Sequence, residues 1–145
     1  MSDQLDTSAA RRCAVTNIRR TDRVLTQFYD EILAPSGLNA PQFGLLATLA
    51  EVAPITIHRL AQIMDMDRTT LTRNLKLLRK QHLVHSGEGE DRRMRLVQLS
   101  KEGEQALRRA WPLWQEAQAR IERALGRERL EALLTELSAV RALAS

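Results

Sequence analysis

Apolar residues fall at Val15, Ile18, Leu25, Phe28 and Ile32 with Arg and Asp between them, close to a 3.6-residue period, and predict a first helix over 9–33. Pro35, Gly37 and Asn39 end it. A second helix is expected from near Pro41, a residue suited to a first turn, through Phe43, Leu45, Leu46 and Leu49 to about Val52, where Pro54 breaks it. Thr56 can cap a third helix whose inner stripe is Ile57, Leu60, Ala61 and Met64. Asp67 is the natural N-cap of a fourth, with Leu71, Leu75 and Leu78 facing inward. On that helix Thr69, Arg73, Lys76 and Lys80 project from the opposite side, flanked by Thr70 and Thr72, while Arg68 projects nearer the buried side.

Leu83, Val84 and His85 can form a strand, SGEGEDRR a glycine-rich charged turn, and Arg95 to Leu99 the returning strand. Ser100 then caps a long helix with apolar positions at Leu107, Ala110, Trp114, Ala117, Ile121 and Ala124, alternating steps of three and four as in helix-on-helix packing. Pro112 is expected to kink this helix without ending it, and Gly126 to close it. Leu130, Leu133, Leu134, Leu137 and Val140 make a last amphipathic helix. The fold class expected is mainly α: a winged helix-turn-helix over 41–100, with helical dimerisation regions over 8–34 and 101–145. A head of that size cannot cover the outer stripes alone. A second copy of the chain is the expected cover, with a monomeric bundle folded against the head as the alternative.

Charge sharpens the picture. Residues 53–100 hold nine Lys/Arg against five Asp/Glu, whereas the rest of the chain balances, so the excess of +4 lies in one third of the sequence. Phosphate binding requires such a concentration, and a merely soluble surface does not. Aromatics are scarce at 3%, which argues against single-strand binders that stack bases on rings and favours a duplex partner. Residues 32–50 carry no charge, but Pro35, Ser36, Gly37, Asn39, Pro41, Gln42 and Gly44 punctuate them, so no membrane span is expected. The opening MSDQLDTSAARR lacks the apolar core of a secretory signal, and a single cysteine permits no intrachain disulfide. A cytoplasmic location is the expectation. His82 and His85 lack a third ligand nearby, and no glycine-rich phosphate cradle, nucleophile elbow or paired acidic motif is present. Neither an enzyme nor a metal or cofactor site is expected.

The chain resembles the MarR family of bacterial transcriptional regulators over nearly its whole length, and three fragments carry the resemblance. LAPSGLNAPQFGLLATL, residues 33–49, is similar to the family's Gly-Leu-Thr-x-x-Gln-Phe start of its second helix. LAQIMDMDRTTLTRNLKLLRKQHLV, residues 60–84, is similar to its paired helices, with His82 where the family usually has Gly. EDRRMRLVQLSKEG, residues 90–103, is similar to its Asp-Arg-Arg wing and Leu-Thr-x-x-Gly helix start, with Ser100 for Thr. The resemblance implies a triangular homodimer whose recognition helices occupy successive major grooves of double-stranded DNA, over a pseudo-palindromic operator, while the wings touch flanking minor grooves. It carries Arg68, Thr69, Thr70, Thr72 and Arg73 onto the recognition helix, and Asp91 and Arg92 onto the wing. The chemistry agrees. Arg can fork onto guanine, and Thr can bond a base or phosphate or touch a thymine methyl. Arg92 suits a narrow minor groove with Asp91 holding it, and Lys76, Arg93 and Arg95 suit phosphate.

The resemblance also implies a repressor relieved by a small effector, often an aromatic or phenolic acid. Phe28, Tyr29, Phe43, Trp111 and Trp114 are the available rings, and Arg19 or Arg23 the available carboxylate partners. Cys13, with Arg11, Arg12, Arg19 and Arg20 close in sequence to favour a thiolate, admits three readings: a buried inert residue, a lining of the dimer or ligand site, or a redox switch. Some relatives sense hydroperoxides through a cysteine in the first helix, but Tyr29 does not fall at the offset those relatives use. A reading of another class is a dimeric module that offers its basic helix to an acidic protein.

Overall fold

The computed structural model describes residues 4–88 and 95–144. A 3₁₀ turn, Thr7–Arg12, precedes helix α1 (Ala14–Leu33), and Cys13 stands between them in extended conformation. The helix expected over 9–33 is therefore divided. The side-chain amide of Asn17 donates to the carbonyl of Arg11 at 2.8 Å, giving it a partner where the helix is broken, and to that of Cys13 at 2.9 Å, which also accepts from Asn17 N at 3.1 Å.

Helix α2 (Ala40–Val52) begins at Asn39, which opens this helix rather than closing the first. Asn39 Oδ1 accepts from Gln42 N at 2.9 Å, and Gln42 Oε1 accepts from Asn39 N at 3.1 Å, a reciprocal cap. Asp30 on α1 accepts from Ala40 N at 2.7 Å, placing a carboxylate at the positive end of α2 and tying the two helices together. Two residues, β1 (Ile55–Thr56), lead into α3 (Ile57–Ile63), and α4 (Arg68–Lys80) follows after a short turn. Thr56 and Asp67 cap α3 and α4 as expected, accepting from Arg59 N at 3.2 Å and Thr70 N at 3.1 Å.

Strands β2 (Val84–Glu88) and β3 (Arg95–Leu99) pair antiparallel from Val84 opposite Leu99 to Glu88 opposite Arg95. The first strand thus runs through Ser86, Gly87 and Glu88, which had read as turn, and Leu83 lies just outside it. β1 adds a third strand on the other side of β3, Ile55 opposite Val97, that local pattern did not disclose. Helix α5 (Lys101–Leu125) continues through Pro112, and Gly126, at φ +84°, separates it from α6 (Arg127–Arg141).

The core lies in the head. Leu46 and Leu49 of α2, Leu60 of α3, Leu71, Leu75 and Leu78 of α4 and Val97 of β3 are wholly buried. On α5 the buried positions are Gly103, Ala106, Ala110 and Ala117, so the inward stripe starts earlier than Leu107 and small side chains let neighbouring helices come close. Leu107, Trp114 and Ile121 are half-buried and Ala124 is exposed. The flanking helices are poorly covered within one chain. α1 buries only Leu33 and leaves Val15 60% exposed, and α6 buries nothing, with Leu133 and Leu134 at 42% and 48%.

Candidate nucleic-acid interface

α4 is amphipathic because its leucines recur at steps of four and three, pinning one side to the core and turning the other outward. Thr69, Thr70, Thr72, Arg73 and Lys76 are all exposed on it. Arg68 is exposed too, against the expectation that it leans to the buried side. It is the first residue of the helix, where the wheel does not decide burial.

Thr70 has a second task. Its hydroxyl donates to both carboxylate oxygens of Asp67 at 2.6 Å, leaving its lone pairs but not its proton for a ligand. These bonds, the Thr70 side chain first and its amide second, hold the Asp67 carboxyl below its ordinary value, with the Arg73 charge adding to the effect.

Arg95 is exposed at the start of β3. Asp91, Arg92 and Arg93 lie outside the described residues. Arg79 has a task that local sequence does not disclose. In the last turn of α4 its Nη2 donates to Ser86 Oγ on β2 at 2.7 Å, bracing the wing strand against the helix. Among the described residues its buried Nε has no partner.

Of the ligand and thiol candidates, the rings of Phe43, Trp111 and Trp114 come together, and the others do not join them. Arg19 and Arg23 are exposed on α1, Phe28 is half-buried with its ring edge-on to Tyr29, and Phe43 is buried under Trp111 and Trp114. A 380 Å³ cavity between α2, β3 and α5, lined by Leu49, Leu99, Glu104 and Arg108 among others, and a 210 Å³ cavity between α2 and α4 include none of these, nor Cys13. Cys13 is half-exposed rather than buried. Thr16, through its hydroxyl and then its amide, draws the thiol below its ordinary value, so the start of α1 rather than the neighbouring arginines favours the thiolate. A redox switch has this one thiol to work with, and no disulfide can close within the chain. Among the described residues no group of three or more His, Cys, Asp or Glu is placed to hold a metal, and no helix is long and apolar enough to cross a membrane.

Residues 36–94 match the sequence profile of the MarR family. The crystal structure of the M. tuberculosis transcriptional regulator MosR in complex with DNA is 38% identical, with 90% of this chain and 98% of that one covered and a TM-score of 0.80. A mutant of E. coli MarR complexed with operator DNA shares the fold at 23% identity, with a TM-score of 0.83 over 94% of this chain and 99% of that one. The uncharacterised HTH-type transcriptional regulator YwoH of Bacillus subtilis is 31% identical over 97 residues, 67% of this chain and 71% of that protein. Profile, relatives and fold agree with the helix order, the three-stranded wing sheet and the outward basic helix: the chain belongs to the MarR family of winged helix-turn-helix transcriptional regulators.

Proposed function

We infer that the protein is a dimeric, sequence-specific DNA-binding repressor that reads a pseudo-palindromic duplex through α4. One observation carries this reading: a capped helix held by three wholly buried leucines turns Thr69, Thr72, Arg73 and Lys76 outward, all exposed and none of them needed by the core. Arg73 and the threonines suit base edges, and Lys76 and Arg95 suit phosphate. The uncovered apolar residues of α1 and α6 support assembly of two copies through the segments 8–34 and 101–145, leaving 41–100 as the reading head. That MosR and E. coli MarR were each crystallised with DNA supports the same assignment.

Relief by a small aromatic acid is the finer part of the proposal. Trp111 is 44% exposed and lies beside Trp114 at a ring separation of 4.9 Å, at the seam where α5 meets Phe43 of α2, so a planar ring has a face to lie on there. An effector acts by binding one separation of the two heads better than another.

The test is fluorescence anisotropy with duplex from immediately upstream of the protein's own gene against a scrambled duplex at the same salt. A preference of about a thousandfold is expected for a specific regulator. Equal, weak binding to both overturns this operator assignment and favours a basic helix that serves an acidic protein instead.

A further inference from the structure

Two residues just past the end of α4 are held by the start of α5. His82 adopts the left-handed conformation, φ +59°, and Leu83 N returns to Leu78 O at 3.0 Å, so the chain leaves the helix through a tight reversal. Ser100 meets this reversal twice. Its hydroxyl donates to His82 O at 2.5 Å, and its backbone N donates to Leu83 O at 3.1 Å. The same hydroxyl oxygen accepts from Gly103 N at 2.9 Å, capping α5. Gly103 closes the joint from the other side, because a Cβ there would lie 2.0 Å from Leu83 O. The end of one helix and the start of another are thus joined through the hydroxyl and backbone N of one serine and the bare Cα of one glycine.

We propose that Ser100 is a positioning residue that fixes the angle between the reading helix and α5, and so decides which spacing of half-sites the two heads accept. This rests on the dimeric DNA-reading function above. The leverage is large. α4 has 13 residues, and at about 1.5 Å per residue a tilt of about 10° at the joint carries its far end about 3 Å, close to one base step along a strand. Ser100 meets α4 at its exit and not among the outward residues Thr69, Thr72, Arg73 and Lys76, so loosening it leaves base choice intact while blurring spacing.

Two substitutions separate the hydroxyl's tasks. Ser100→Asp still accepts from Gly103 N and suits a helix start, but as a carboxylate it cannot donate to His82 O. Ser100→Thr keeps both bonds. The full-length protein is first given a selected operator, then duplexes in which the two half-sites are moved apart or together by one or two base pairs, and finally a single half-site at low salt. The native protein and Ser100→Thr should disfavour the shifted spacings by about tenfold or more. Ser100→Asp should lose most of that discrimination while its half-site affinity and its base preferences stay native. Native spacing discrimination in Ser100→Asp overturns the proposal, as does an equal loss on half-site and full site, which would mean that the hydroxyl only holds the head together. If the native protein binds every duplex alike, the DNA-reading function itself falls, and the proposal with it.

Discussion

Asp67 and Thr70 are locked to each other at the head of α4: the Thr70 hydroxyl donates to both Asp67 oxygens, and Asp67 Oδ1 accepts from Thr70 N. Thr70→Val removes the hydroxyl while keeping the shape, so it should lower the melting temperature by a few degrees and weaken binding to all duplexes together, because the loss falls on the helix rather than on one base. Thermal melts beside anisotropy on matched and mismatched duplexes check this. A selective loss at one base position would instead assign Thr70 to direct readout.

The same pair sets an acid limit. The folded-state pKa of Asp67 lies below its ordinary value, so its contribution is fully present above the unfolded carboxylate pKa and is lost as pH falls through the folded one. Asn in its place still caps the helix but does not titrate. Urea titrations from neutral pH down through the carboxylate range should show the native protein losing stability faster than Asp67→Asn. Parallel curves would show that Asp67 carries none of the acid limb.

Arg73 and Lys76 sit three residues apart on the exposed side of α4. Arg73→Ala should relax sequence preference. Lys76→Ala should weaken binding to all duplexes alike and reduce the slope of log affinity against log salt by about one. Salt titrations on specific and scrambled duplexes separate the two, and the opposite pattern reverses the assignments.

At the exit of α4 a left-handed backbone carries a side chain that glycine would spare. His82→Gly should raise stability by about 0.5–1 kcal/mol, the relief of the left-handed strain less the entropy that glycine adds to the unfolded chain. Gly103→Ala, by contrast, must displace the Leu83 carbonyl and should cost about 3 kcal/mol. Denaturant midpoints measure both.

Leu133→Glu with Leu134→Glu places charge on the uncovered side of α6, outside the core of the head. Sedimentation should show a shift from dimer to monomer at micromolar concentration, while binding to a half-site at low salt persists. An unchanged dimer would move the interface elsewhere.

Much of this molecule was legible because its head obeys local rules. The stripe Leu71, Leu75, Leu78 declares itself within eight residues of sequence, and the caps Thr56, Asp67 and Ser100 each within four. What was missed depends on partners far away or on competing local chemistry. β1 is two residues long and exists only because Val97, 42 positions on, lies beside Ile55. Cys13 interrupts a helical pattern because Asn17 offers the backbone another bonding scheme. Asn39 read as a stop, although its spacing to Gln42 ahead of an apolar run is the signature of a start. Arg79 could not be given Ser86 as a partner before the helix exit and strand register were known.

Trp111 and Trp114 are the chain's two tryptophans, and both stand where α5 crosses α2, Trp114 stacked on Phe43 at 5.7 Å. The protein's indole emission therefore originates at the seam between head and arm. Light excited in the indoles alone, past the absorption of Tyr29, reports on that seam in an unlabelled sample, which makes the protein its own optical gauge of whether a duplex or an effector shifts one part against the other.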